Sequence, residues 1–161
     1  MCSSDLNYCY SYMFTDCKAL TQAPALPATT LANNCYQYMF QNCTGLTQAP
    51  ALSATTLANY CYQGMFNFCE NLTRLPALPA TTLKTGCYSR MFQNCSSIKL
   101  SSTKTGAYTI VYRIPKTGTG TTASSALSNM FYRTGGTFTG TPNINTTYYL
   151  FSGQVSGGGS N

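Results

Sequence analysis

Nine cysteines are the densest set of chemically versatile side chains in this 161-residue sequence. Eight fall into two columns, Cys9, Cys35, Cys61, Cys87 and Cys17, Cys43, Cys69, Cys95, each stepping by 26 residues. A thiol can be a nucleophile, a metal ligand or half of a disulfide. As a nucleophile it needs a neighbouring base, and the chain has no His. Zinc favours Cys-x2–4-Cys spacing, often with His, so the eight-residue step from Cys35 to Cys43 argues against a metal. General acid–base work asks for His or paired carboxylates. The only acidic side chains are Asp5, Asp16 and Glu70. No catalytic residue, metal or other cofactor is expected, and the chain does not read as an enzyme.

The rest of the repeat says what positions the thiols. Met13-Phe14, Met39-Phe40, Met65-Phe66 and Met91-Phe92 keep the same step, as do Leu20, Leu46, Leu72 and Ile98. A fixed period in this range marks a solenoid, in which each unit buries its apolar face against its neighbours. In the unit from Pro27 to Leu52, the apolar residues Leu31, Cys35, Tyr36, Met39, Phe40 and Cys43 share one face of a helix. Thr30 suits its N-cap, and Thr44-Gly45 its end. The segment Leu46 to Leu52 reads as a short strand. Pro50 cannot donate to a ladder, so the stacked sheet should be narrow. The expected fold class is an α/β repeat, a solenoid of short strands and short helices with a degenerate C-terminal cap.

Within such a helix Cys35 and Cys43 would be about 12 Å apart at 1.5 Å per residue. A disulfide needs Cα atoms within roughly 7 Å. Reduced thiols acting as small core side chains are the favoured reading, with inter-repeat disulfides and a metal site as alternatives. Cys9, Cys35, Cys61, Cys87, Cys17, Cys43, Cys69 and Cys95, with Met39, Phe40, Met65 and Phe66, form the expected core ladder. The Tyr10, Tyr36, Tyr62, Tyr88 column either packs with the Phe column or offers a sugar-stacking platform.

Tyr-Met-Phe-x-x-Cys-x-x-Leu-Thr, at Tyr38 to Thr47, resembles the core of BspA-like leucine-rich repeats, found in bacterial and protozoan surface proteins. The match covers roughly residues 6 to 102. It departs in length, in Ala and Pro replacing β-branched strand residues, and in Met replacing Ala before Phe. The resemblance implies a leucine-rich-repeat solenoid and a surface-exposed adhesion module.

Residues 1–102 thus read as about four repeats. The next Met-Phe pair, Met130-Phe131, lies 39 residues beyond Met91-Phe92. Between them, residues 103–125 form an insertion in which Tyr108, Ile110, Tyr112 and Ile114 alternate as in a strand. Residues 126–151 read as a worn capping repeat, with Phe138, Pro142 and Thr146-Thr147-Tyr148 near the old columns. Residues 152–161 form a Gly/Ser-rich tail. The start shows no signal peptide and opens almost directly into a repeat, as a fragment of a longer chain would.

Charged residues are only 7% of the chain, against roughly 25% in an ordinary domain. The net charge of +6 is uneven, with eight of nine basic residues from Arg74 onward. There is no Lys/Arg run or interleaved aromatic motif of a nucleic-acid module, and no apolar stretch long enough to span a membrane. Asn42, Asn71, Asn94 and Asn145 open glycosylation sequons. The candidate binding residues are Thr47, Gln48, Thr73 and Arg74 on the strand face and Arg113 and Lys116 in the insertion, with Tyr12, Tyr38 and Arg90 also exposed. The expected role is a non-catalytic, surface-exposed recognition module for a protein or glycan on a cell surface. The alternative is a spacer or decoration segment of a virus or phage particle, contacting other virion proteins.

Overall fold

A computed structural model describes residues 6–154. Asp5, Cys2 and the Gly/Ser-rich tail beyond Gln154 lie outside the described residues. The expected α/β leucine-rich-repeat solenoid does not form. Among the described residues there is no helix, and the only sheet has four short strands in the C-terminal part. The segments read as helices are instead runs of turns.

The reason lies in a four-residue period of backbone conformation. Asn34, Tyr38 and Asn42 have φ of 58°, 51° and 58°, in the left-handed region. The same holds for Tyr8, Tyr12 and Asp16, for Tyr60, Gly64 and Phe68, and for Gly86, Arg90 and Asn94. A left-handed residue every four positions forbids a continuous right-handed helix. Each such residue takes the third place of a four-residue turn, the place where a type II turn requires positive φ. Tyr38 does so in the turn closed by the Met39 N–H on the Tyr36 carbonyl, 3.2 Å.

The hydrogen bonds then alternate. The N–H groups of Gln37, Met39, Gln41 and Cys43 reach back three residues, to Asn34, Tyr36, Tyr38 and Phe40. Those of Tyr36, Tyr38, Phe40 and Asn42 leave the unit and donate to Cys61, Gln63, Met65 and Asn67, at 2.8–3.0 Å. Half of the backbone is satisfied locally and half by the next copy, which meets the requirement that buried polar groups be paired. Turn tiers at residues 8–17, 34–43, 60–69 and 86–95 are joined in this way. A fifth, at residues 125–134, joins the fourth through Tyr88 to Ala126, Arg90 to Ser128 and Phe92 to Met130, at 2.8–3.0 Å.

Side chains follow the backbone register. Phe14, Phe40, Phe66, Phe92 and Phe131 form a column with ring centroids 5.5–5.7 Å apart. Tyr10, Tyr36, Tyr62 and Tyr88 form a second, at 5.6–5.9 Å. Offset stacking of this kind adds about 0.5–1.5 kcal/mol per pair beyond area burial. The expected strand at Leu46 to Leu52 is reduced to isolated parallel bridges, Leu26 to Leu52 and Gln48 to Arg74.

Strands β1 (Lys99–Ser101), β2 (Tyr108–Arg113), β3 (Gly135–Gly136) and β4 (Thr147–Phe151) lie in the order β2-β4-β1-β3. β4 is antiparallel to both β1 and β2, and β3 is parallel to β1. Tyr112 and Ile114 face inward while Val111 is exposed, and Tyr112 packs edge-on against Phe131. Thr146-Thr147 does not continue the Thr column. Thr82 bridges Thr121 instead, so the Thr pair of the fifth tier precedes it.

Gly64 tests the turn account. Its φ is +58°, and a Cβ there would lie 2.0 Å from the Tyr38 ring. Gly106 has φ +56° with nothing within 4 Å. Gly106→Ala should therefore cost only the left-handed penalty, about 1–2 kcal/mol. Gly64→Ala should cost roughly 1–3 kcal/mol more, because the ring must move. Urea unfolding of the two variants measures the difference, and equal costs would contradict the Tyr38–Gly64 packing.

Candidate binding strip and thiol core

The turn tiers divide the chemistry between an inner and an outer surface. Inside, Cys35, Cys61, Cys87, Cys43, Cys69 and Cys95 are fully buried, beside Met39, Phe40, Met65 and Phe66. The second column does more than fill space. The Cys43, Cys69 and Cys95 thiols donate to the carbonyls of Phe14, Phe40 and Phe66, at 3.0–3.1 Å. Each thiol thus ties its tier to the one before. In the fifth tier Thr134 takes the place of the cysteine, and its hydroxyl bonds Phe131 within its own tier, 2.9 Å.

Two members of the predicted ladder depart from it. Cys17 is free but exposed, because no earlier tier offers it a carbonyl or a packing surface. Cys9 is disulfide-bonded, not a reduced thiol. Burial pushes the Cys35, Cys43 and Cys87 thiols from about 9 up to about 11, and Cys69 up to about 12. Cys61 and Cys95 are also raised by burial. These groups stay protonated at neutral pH, and a protonated buried thiol is a poor nucleophile. The Tyr36, Tyr62 and Tyr88 rings are buried too, which removes that column as a sugar platform.

Outside, the strip predicted from sequence is brought together. Thr47 and Gln48 are exposed, and Thr73 and Arg74 lie beside them through the Gln48–Arg74 bridge. The Thr47 carbonyl accepts from the Thr73 and Arg74 N–H groups, 3.0 and 3.2 Å, and from the Thr73 hydroxyl, 3.3 Å. Thr73 is therefore partly committed to the framework, while the Gln48 amide faces solvent. Thr21, Gln22 and Ala23 continue the strip across a groove of about 480 Å³ whose other wall is Thr47 to Ala51. The lining is hydroxyl, amide and small apolar groups, with no charge.

Arg113 and Lys116 do not belong to that groove. They line a separate cleft of about 240 Å³ with Val111 and Tyr112. The half-buried Arg113 guanidinium donates to the Pro115 carbonyl, 2.9 Å, and to Asn145 Oδ1, 3.5 Å. Asn145 in turn holds both the N–H and the carbonyl of Gly120, at 2.7 and 2.9 Å. Arg113 fastens the insertion, and Lys116 alone is exposed there.

Sequence reasoning missed a set of exposed rings at left-handed positions, Tyr8, Tyr60 and Phe68. Tyr12 stacks on Tyr38 at 5.3 Å, and the Tyr38 ring then covers Gly64. The glycines at positions 64 and 86, inside what looked like helices, were the signal that could have exposed this column. Comparison with known protein families, with curated proteins and with solved structures gave no match.

The thiol core fixes a pH dependence. A thiol raised in the folded state ionises in the unfolded chain first, so between about pH 9 and 11 the unfolded state binds fewer protons. Stability is then fully present below pH 9 and falls as pH rises toward 11. The urea midpoint should drop over this window, and replacing Cys61 and Cys87 with Ala should flatten the slope. In native protein at neutral pH, Cys17 should react with a thiol reagent while the six buried cysteines react only on unfolding. Uniform reactivity would contradict the packing.

Proposed function

We propose that this chain is a non-catalytic recognition module that binds a glycan or protein partner through the Thr/Gln strip. The observation that carries this reading is the groove between Thr21-Gln22 and Thr47-Gln48. Binding sites pair a concave surface with a few placed polar groups, and here hydroxyl and amide groups sit on backbone pinned by bridges between copies. Neutral donors and acceptors over an Ala/Pro floor suit a sugar better than a charged ligand. The exposed Arg74 borders the strip and can add contact to an acidic partner group. Buried, protonated thiols and the lack of His leave the chain without an evident nucleophile–base pair. A surface setting, on a cell or a virion, follows the composition, with few charges and many Thr, Ser, Asn and Gln side chains.

Glycan-array and whole-cell binding test the proposal. The double variant Gln22→Ala, Gln48→Ala should weaken binding by about tenfold or more, since each lost hydrogen bond to a ligand contributes on the order of 1 kcal/mol. Lys116→Ala should leave binding unchanged. Arg113→Ala should lower stability without altering affinity measured on the folded fraction. Binding that survives the Gln variant and is lost with Lys116→Ala would move the site to the insertion. Inertness in every assay, with copurification alongside capsid or tail proteins, would favour the spacer role instead.

A further inference from the structure

The two ends of the tier stack differ in hydrogen-bonding polarity. At the fifth tier the outward N–H groups are occupied: Phe131 donates to the Gly140 carbonyl and Asn129 to the Thr141 hydroxyl, both at 2.8 Å. Phe131 and Met130 are fully buried beneath that segment. At the first tier the N–H groups of Tyr12, Phe14 and Asp16 are spent on Gln37, Met39 and Gln41 of the second. The carbonyls of Ser11, Met13 and Thr15 point the other way and have no partner among the described residues. Their counterparts, Gln37, Met39 and Gln41, each accept a bond of 2.9–3.0 Å.

The side chains repeat the asymmetry. Met13 is 56% exposed where Met39 is 2%, and Leu6, Tyr8 and Tyr12 are each more than half exposed. An apolar cleft of about 350 Å³ opens at this end, lined by Met13, Phe14, Leu26, Tyr36 and Met39 among others. The face is thus an edge of backbone acceptors over an apolar floor, and unpaired edges of this kind template the addition of another chain.

We infer that the first-tier face is a docking surface for an incoming polypeptide tier of the same turn-built kind. That partner offers free N–H groups at every second residue and an apolar pair seated over Met13 and Phe14. The occupant is specified by continuity, because the same face of the second, third and fourth tiers is already covered by such a segment. A second whole copy of the chain does not fit. Stacked face to face, two copies would set carbonyls against carbonyls. Stacked in sequence, the second copy would need the donor edge that Gly140 and Thr141 already hold.

The test uses the full chain and a labelled peptide with the sequence of residues 28–53. Saturable binding by fluorescence anisotropy is expected. Peroxide oxidation of Met13, read by mass spectrometry, should slow by roughly tenfold or more at saturation, because oxidation follows exposure. Met13→Glu should abolish the binding while leaving the buried methionines protected. Should the free peptide bind too weakly to saturate, the same 26-residue sequence fused ahead of Leu6 must protect Met13. Failure of both the free and the fused peptide to protect Met13 would overturn the inference. So would a concentration-dependent dimer of the chain alone in which Met13 becomes protected, since that assigns the face to a second copy.

Discussion

The alternation of backbone hydrogen bonds between tiers is the constraint on which everything else depends. Each turn tier satisfies only half of its own N–H and C=O groups, so a tier alone would bury unpaired polar atoms or leave them to water. Its neighbours are required. That requirement fixes the register of the copies, and the register stacks Phe on Phe and Tyr on Tyr at 5.5–5.9 Å. The same register brings Cys43, Cys69 and Cys95 under the Phe carbonyls of the preceding tier. A small residue with a weak donor suits that position, since a longer side chain would separate the tiers and an apolar one would leave the second lone pair of the carbonyl unused.

Some of this was legible in the sequence and some was hidden. Which residues meet across copies could be read, because Cys, Met, Phe and Tyr recur at a constant 26-residue step. The alternation of Tyr108, Ile110, Tyr112 and Ile114 marked the segment that forms β2. The local conformation could not be read from the apolar pattern. Pairs of apolar residues at 35–36 and 39–40, followed by Cys43, fit a period of four as well as one of 3.6. The two periods diverge by only about 80° over eight residues, inside the width of an ordinary apolar stripe. What separates them is the residue types in the gaps. Asn34, Asn42, Gly64, Gly86, Asn94 and Asp16 are types that tolerate left-handed backbone, and they recur at steps of eight or four within their units. Tyr38, Tyr60 and Arg90 occupy the same slots without any such preference, which masks the signal.

The candidate site was legible as a strip but not as two separate places. Thr47, Gln48, Thr73 and Arg74 follow the columns, so their adjacency came with the register. Arg113 and Lys116 looked like one basic patch because charge is visible in sequence and hydrogen-bond commitment is not. Asn145 is 32 residues from Arg113, and nothing in either segment announces that the two meet to pin Gly120. The cysteines show the same limit. Their spacing argued correctly against closure within a tier, but the exposure of Cys17 depends on what lies beside the first tier.

Scalar couplings transmitted through hydrogen bonds in a labelled sample test the inter-tier bonding most directly. The structure predicts cross-peaks from the Tyr38 nitrogen to the Gln63 carbonyl carbon and from the Phe40 nitrogen to the Met65 carbonyl carbon, partners 25 residues apart. Couplings from those nitrogens to carbonyls four residues earlier in the chain would mean that helices form after all, and the turn-built stack would be wrong.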